Sequence, residues 1–249
     1  MLVDTHAHIH ESIFEPDALE AIDRARTDEV TNIICVGTSE ESSRQAIDFA
    51  NGKEGIFASI GVHPHDTKDG YGDIEALAGS NDKIIAVGEI GLDYFYTNSP
   101  KETQIAALES QIETALAHDL PIIFHVREAF DDFWPIFEKY KGIRGVLHSF
   151  TDTQAQLDRA LAHGLYIGVN GISTFTKDEA QRAMFDAIPL DRLLLETDAP
   201  FLTPSPFRGK INEPAFVRIV AEYHAERRGI SVEEIAKATS ANVHALFAI

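Results

Sequence analysis

Short apolar runs alternate with helical segments along the whole chain, and this alternation restricts the fold more than any other feature. After an opening run that carries Val3-Asp4-Thr5-His6-Ala7-His8, strand-like stretches fall at 30–36, 55–62, 83–88, 120–126, 143–148, 165–169 and 192–196. Helical spacing is expected between and after them, over 16–29, to about 49, and over 100–118, 128–140, 152–162, 177–186, 213–228 and 232–246. Pro16-Asp17 opens the first helix, and Gly37-Thr38-Ser39 offers a turn and N-cap for the second. Continuously apolar strands are buried on both faces, which is the habit of parallel sheets covered by helices. Eight such units in 249 residues predict a (β/α)8 barrel, one domain over 1–249, with a doubly wound open sheet as the alternative.

The placement of polar residues favours the barrel. His6 and His8 end the first strand, His63-Pro64-His65 the third, Glu89 the fourth, His125 the fifth, His148 the sixth and Asp198 the eighth. In a barrel these C-terminal strand ends share one rim, where such folds carry their active sites. Alternation along a strand puts His6 and His8 on one face, a spacing that suits a single metal ion. The remaining histidines and carboxylates exceed what one tetrahedral ion requires, so two ions are implied.

Composition limits the function classes. Lys and Arg number 21 against 40 Asp and Glu, a net charge of -19, so tight nonspecific nucleic-acid binding is disfavoured. A phosphate substrate would depend on bound cations and a few local arginines. The single cysteine, Cys35, sits in an apolar run and excludes an internal disulfide. No run approaches the roughly 18 apolar residues of a membrane span, and the chain opens directly into Leu2-Val3-Asp4, so a soluble, cytoplasmic protein with no membrane or obligate protein partner is expected.

Longer motifs are more specific: DTHAH at 4–8, GVHPH at 61–65, GEIGLDY at 88–94, PIIFHVREAFDD at 121–132, LHSF at 147–150, LLLETDAP at 193–200 and RGKINEP at 208–214. Together with Ser240, Asn242, Leu246 and Phe247 near the end, they make the chain resemble the TatD family of metal-dependent deoxyribonucleases, a branch of the amidohydrolase-type barrels. The resemblance implies that His6, His8 and Asp198 hold one divalent ion, that His125 and His148 hold a second, and that Glu89 bridges them. It implies that Asp198 orients the attacking water and takes its proton, and that His63 stabilises or protonates the leaving group. His65 would lie near substrate. Arg127 and Arg208 would clamp phosphate, unless they pair with Glu128 or Glu213 instead. Asp93 and Asn212 would orient ligands or fix loops.

Two positions depart from the family pattern. His10 stands where Asp or Asn is usual and reads either as a solvated loop residue or as a neighbour of the first ion. Ile211 replaces a usual basic residue and removes one positive charge. Metal identity stays open between Mg, Mn and Zn, because four histidines and two carboxylates suit transition metals better than Mg, while related nucleases are described as Mg-dependent. The resemblance implies removal of nucleotides from the 3′ end of DNA, whereas the spacing of the residues points only to a hydrolytic metal centre. A metal-dependent deacylase or amidohydrolase, such as a D-aminoacyl-tRNA deacylase, would use the same constellation, and a metal-bound scaffold without activity is a third reading.

Overall fold

The computed structural model describes residues 1–249. In order, its elements are β1 (Leu2–Ala7), α1 (Ala18–Thr27), β2 (Val30–Val36), α2 (Glu40–Ala50), β3 (Ile56–Ile60), α3 (Ile74–Ala78), β4 (Ile84–Asp93), α4 (Lys101–Ala117), β5 (Ile122–Arg127) and α5 (Phe130–Phe137). There follow β6 (Gly145–Leu147), α6 (Gln154–Ala162), β7 (Tyr166–Val169), α7 (Ile172–Phe175), α8 (Glu179–Ala187), β8 (Leu193–Leu195), α9 (Val217–Arg228) and α10 (Val232–Phe247). The strands follow one another in the sheet in chain order and alternate with helices, as in a (β/α)8 barrel.

Several bounds differ from the sequence expectation. Strand β4 runs on through Glu89 to Asp93, whereas β3, β6 and β8 are shorter than the apolar runs that contain them. The short helices α3 and α7, and a 3-10 helix at Pro64–Asp69, were not expected. None is long enough to show a helical period. No helix is long and apolar enough to cross a membrane.

The chain forms two compact units, residues 35–148 and residues 1–34 with 149–249. In the unit of residues 35–148, β3 to β6 pair in parallel. Register between β4 and β5 shifts between Val87 and Ile90, so the stretch containing Gly88 and Glu89 bulges before Gly91 pairs with His125. Such a bulge re-aims a side chain without ending the strand. Gly91 itself has φ of 155°, and a Cβ there would lie 1.7 Å from the His125 carbonyl oxygen, so only glycine fits. Ser39 caps α2 by accepting the Ser42 N–H at 3.1 Å. Helix α4 carries two buried glutamines seven residues apart, on one face. Gln104 accepts from Asp93 N and donates to Asp93 O at 2.9 and 3.1 Å, and Gln111 does the same for Val62 at 2.7 and 3.3 Å. These bonds fix the backbone at the end of β4 and beyond β3, where His63 begins. Cys35 is buried and free.

In the unit of residues 1–34 and 149–249, Asp17 caps α1 through Leu19 N and Glu20 N, and Ser231 and Glu234 form a capping box on α10. Strand β1 is buried throughout and meets the segment after β8. Thr5 Oγ1 donates to Leu195 O at 3.0 Å, Asp198 N to His6 O at 2.8 Å, and His8 N to Ala199 O at 2.8 Å. Asp4 reinforces this seam. Its fully buried carboxyl accepts from Thr197 N at 2.8 Å and His6 N at 3.3 Å and meets Thr197 Oγ1 at 2.6 Å.

Burial raises the Asp4 pKa to about 8, against the lowering effect of the Thr197 and His6 hydrogen bonds, and the charge of Glu196 adds to the rise. An unfolded Asp releases its proton near 3.9, so the stabilising proton uptake is complete below about pH 4 and is lost as pH rises through about 8. In urea unfolding of metal-stripped protein between pH 5 and 8, wild type should lose stability relative to Asp4→Asn by up to about 1.4 kcal/mol per pH unit. A gap between the two that does not change with pH would contradict a protonated Asp4.

Candidate metal centre

Each unit gathers its own set of ligand-type side chains. In the unit of residues 1–34 and 149–249, β1 alternation sends His6 and His8 the same way, and their Nε2 atoms face each other at 3.2 Å. Asp198 Oδ1 lies 3.3 Å from His8 Nε2 and 3.7 Å from His6 Nε2. The three donor atoms lie within 4.8 Å of one another. Two imidazole nitrogens facing each other have no use for two protons, whereas a cation accepts a lone pair from each. The set therefore fits a divalent metal. Asp198 adopts φ of 59°, a left-handed conformation that Asp tolerates better than most residues.

The loop after β8 is held by Asn212, whose Nδ2 donates to Thr197 O at 2.8 Å and Phe201 O at 2.5 Å. Arg208 does not pair with Glu213, which instead takes the Arg24 guanidinium at 2.6 Å. Arg208 donates to Thr203 O at 2.8 Å, and its guanidinium carbon lies 3.9 Å from the Phe175 ring centroid. Stacking leaves the planar N–H edge able to meet phosphate. The His10 side chain is buried rather than solvated, with its ring 6.4 Å from His8 and its Nε2 3.7 Å from Glu11. Ile211 is exposed.

In the unit of residues 35–148, the buried Glu89 carboxylate is the hub. Its Oε1 lies 2.8 Å from His125 Nδ1, 3.4 Å from His148 Nε2 and 3.6 Å from His63 Nε2. On its other side His125 Nε2 meets Asp93 Oδ2 at 3.0 Å, and His65 Nε2 meets the same oxygen at 3.0 Å. With the Nε2 proton donated to Asp93, a cation taking the place of the proton on Nδ1 would find that nitrogen oriented toward it, the arrangement by which a carboxylate orients a metal-binding imidazole. Burial would raise the Asp93 pKa, but the hydrogen bonds from His125 and from Tyr96 N outweigh it and hold the carboxyl well below the usual range. Burial opposes charge on His125, yet the bonds to Asp93 and Glu89 outweigh it and raise its pKa.

His63 lies in the same group of donor atoms as Glu89 and His125. Its Nδ1 accepts the His65 N–H at 3.1 Å, so the neutral ring carries its proton on Nε2 and faces Glu89 as a donor. Burial, with the neighbouring His125 charge, holds its pKa well below the ordinary histidine value, which keeps the ring neutral. Arg127 does not turn to Glu128. Its guanidinium carbon sits 3.9 Å from the Phe95 ring centroid and 5.1 Å from that of Tyr96. The sequence reading missed these aromatic partners and the Asp4 anchor. Asp4 opens the DTHAH motif, where nothing in the spacing distinguishes a buried anchor from a ligand.

The chain as a whole is similar to known proteins. A family model for TatD related DNase matches residues 3–248. A metal-dependent hydrolase of Bacillus subtilis, YabD, is 38% identical over 255 residues, covering 100% of both chains. The 3'-5' ssDNA/RNA exonuclease TatD of Cronobacter sakazakii is 36% identical over 262 residues, covering 99% of this chain and 97% of its own. The solved structure of the TatD homolog YJJV from Escherichia coli superposes with a TM-score of 0.92 at 30% identity, covering 100% of this chain and 98% of that one. The chain thus belongs to the TatD-related DNase family of metal-dependent hydrolases.

Proposed function

We propose that the protein is a two-metal exonuclease that removes nucleotides from the 3′ end of single-stranded DNA. The observation that carries this reading is the pair of convergent ligand sets, one on each compact unit. His6, His8 and Asp198 would hold one ion, and His125, His148 and Glu89, whose Oε1 lies 2.8 Å from His125 Nδ1 and 3.4 Å from His148 Nε2, would hold the other. The nucleic-acid substrate and its polarity are supported by the relatives named as 3'-5' ssDNA/RNA exonucleases. A reducing cytoplasm suits the single buried cysteine.

Divalent ions, when bound, activate water and offset the charge that develops on the phosphoryl oxygens. The side chains supply the rest. Asp198, partly open to solvent, orients the attacking water and accepts its proton. His63, neutral and bearing its proton on Nε2, donates a hydrogen bond to the departing oxygen. Arg127 and Arg208 present guanidinium edges to the phosphates, and His65 borders the substrate from its bond to Asp93. With a net charge of -19 the surface repels a polyanion, so binding depends on these local cations and should weaken with salt.

Metal-stripped protein resupplied with Mg, Mn or Zn should shorten a 5′-labelled single-stranded oligonucleotide from its 3′ end. Asp198→Asn should lower that rate by at least about 100-fold while circular dichroism stays unchanged. An unaltered rate in the variant, or cleavage that starts within the strand, would contradict the assignment; no cleavage with any ion, from protein that retains two metals, would shift the reaction to ester or amide substrates.

Ligand histidines must be unprotonated, so metal affinity should fall as pH drops below about 6.5, the reference value for histidine. Metal content measured by mass spectrometry after dialysis should be two ions per chain at pH 8 and fewer at pH 5. Retention of both ions at pH 5 would argue against histidine ligation.

A further inference from the structure

Strand β4 ends in Asp93, and two large aromatic side chains follow after one residue. Phe95 is 48% exposed and Tyr96 45% exposed, unusual for rings of that size side by side beside a hydrolytic site. They are nonetheless held in place. Asp93 Oδ1 accepts both backbone N–H groups, from Phe95 at 2.9 Å and Tyr96 at 3.1 Å, while Oδ2 of the same carboxylate takes His125 and His65. The two rings meet edge to face, with centroids 4.7 Å apart at 84°. Tyr96 also meets the His65 ring at 5.2 Å, His65 meets His63 at 4.4 Å, and His63 meets His125 at 4.4 Å. The exposed ring is therefore two imidazoles away from a metal-ligand candidate. Arg127, paired with Asp93 across the β4–β5 register, lays its guanidinium over Phe95.

From this arrangement we infer that Phe95, Tyr96 and Arg127 form a seat for one nucleotide of a single-stranded nucleic acid. The base stacks on the open surface of Tyr96, and Arg127, flattened on Phe95, turns its N–H edge to the adjoining phosphate. A ring of this kind reads no sequence, since every base has a π face. It does read strandedness, because a paired base inside a duplex already has both faces covered. Asp93 ties the seat to His125 through one carboxylate, so a base on Tyr96 is held at a fixed distance from the reacting phosphate. The inference rests on the nucleolytic reading above and adds the part of the substrate that these residues recognise.

The test compares a single-stranded oligonucleotide with the same strand carrying abasic residues at its three 3′-terminal positions. Metal-loaded wild type, Tyr96→Ala and Tyr96→Phe are each assayed for kcat/KM, and for binding by fluorescence anisotropy. Wild type should lose roughly 10- to 100-fold in kcat/KM and in affinity on the abasic strand, the range expected for one stacked base. Tyr96→Ala should show that loss already on the normal strand and no further loss on the abasic one, and Tyr96→Phe should behave as wild type. Losses that multiply when the variant meets the abasic strand, or a Tyr96→Ala protein that matches wild type, would overturn the seat. Brisk degradation of both strands by wild type at equal rates would overturn it while leaving the nuclease intact. Failure of wild type to bind or degrade either strand would remove the nucleolytic reading and the seat together.

Discussion

A buried carboxylate surrounded by imidazoles is the constraint on which the site depends. Glu89 sits inside the protein with three histidine nitrogens between 2.8 and 3.6 Å from one of its oxygens. Burying that charge in a low-dielectric interior costs several kcal/mol unless cationic or hydrogen-bonding partners compensate it. Much of the surrounding construction delivers those partners. The bulge between Val87 and Ile90 turns Glu89 inward, glycine at 91 lets β5 come close enough to bring His125, and Gln104 and Gln111 of α4 hold the strand ends from which Asp93 and His63 project. His6, His8 and Asp198 solve the same problem in the other unit, where the Asp4 seam sets the backbone that carries them.

The histidines around Glu89 are not equivalent, and hydrogen bonding separates their roles. His125 has its far nitrogen committed to Asp93, so that Nδ1, which meets Glu89 at 2.8 Å, is the nitrogen a metal would take. His63 has its Nδ1 committed to a backbone N–H, which makes Nε2 a donor. Two rings of the same chemistry beside the same carboxylate are thereby suited to ligation and to stabilising a leaving oxygen.

The fold was legible in the sequence because eight apolar runs alternate with helical periods over the full length, and the motif histidines were legible because they terminate those runs. What escaped has physical reasons. The five-residue α3 and the four-residue α7 are too short to display a period, and the bulge at Gly88 and Glu89 depends on pairing with a strand more than thirty residues away. His10 read either as a solvated loop residue or as a neighbour of the first ion; its ring is buried, 6.4 Å from that of His8, which its place after the first strand did not decide. Arg127 and Arg208 read as phosphate clamps or, alternatively, as partners of Glu128 and Glu213; neither makes that pairing, and both lie on aromatic rings contributed by other segments. Cation–π pairs of that kind leave no spacing signal in a linear sequence.

The central proposal, that each of these two sets of side chains holds a divalent ion, is tested most directly by crystals grown with Mn and measured at its absorption edge. The account predicts two anomalous peaks per chain, one about 2.0–2.3 Å from nitrogens of His6 and His8 and an oxygen of Asp198, the other at similar distances from His125, His148 and Glu89. A map with no peak at either set, from protein that is folded and saturated with the ion, would contradict it.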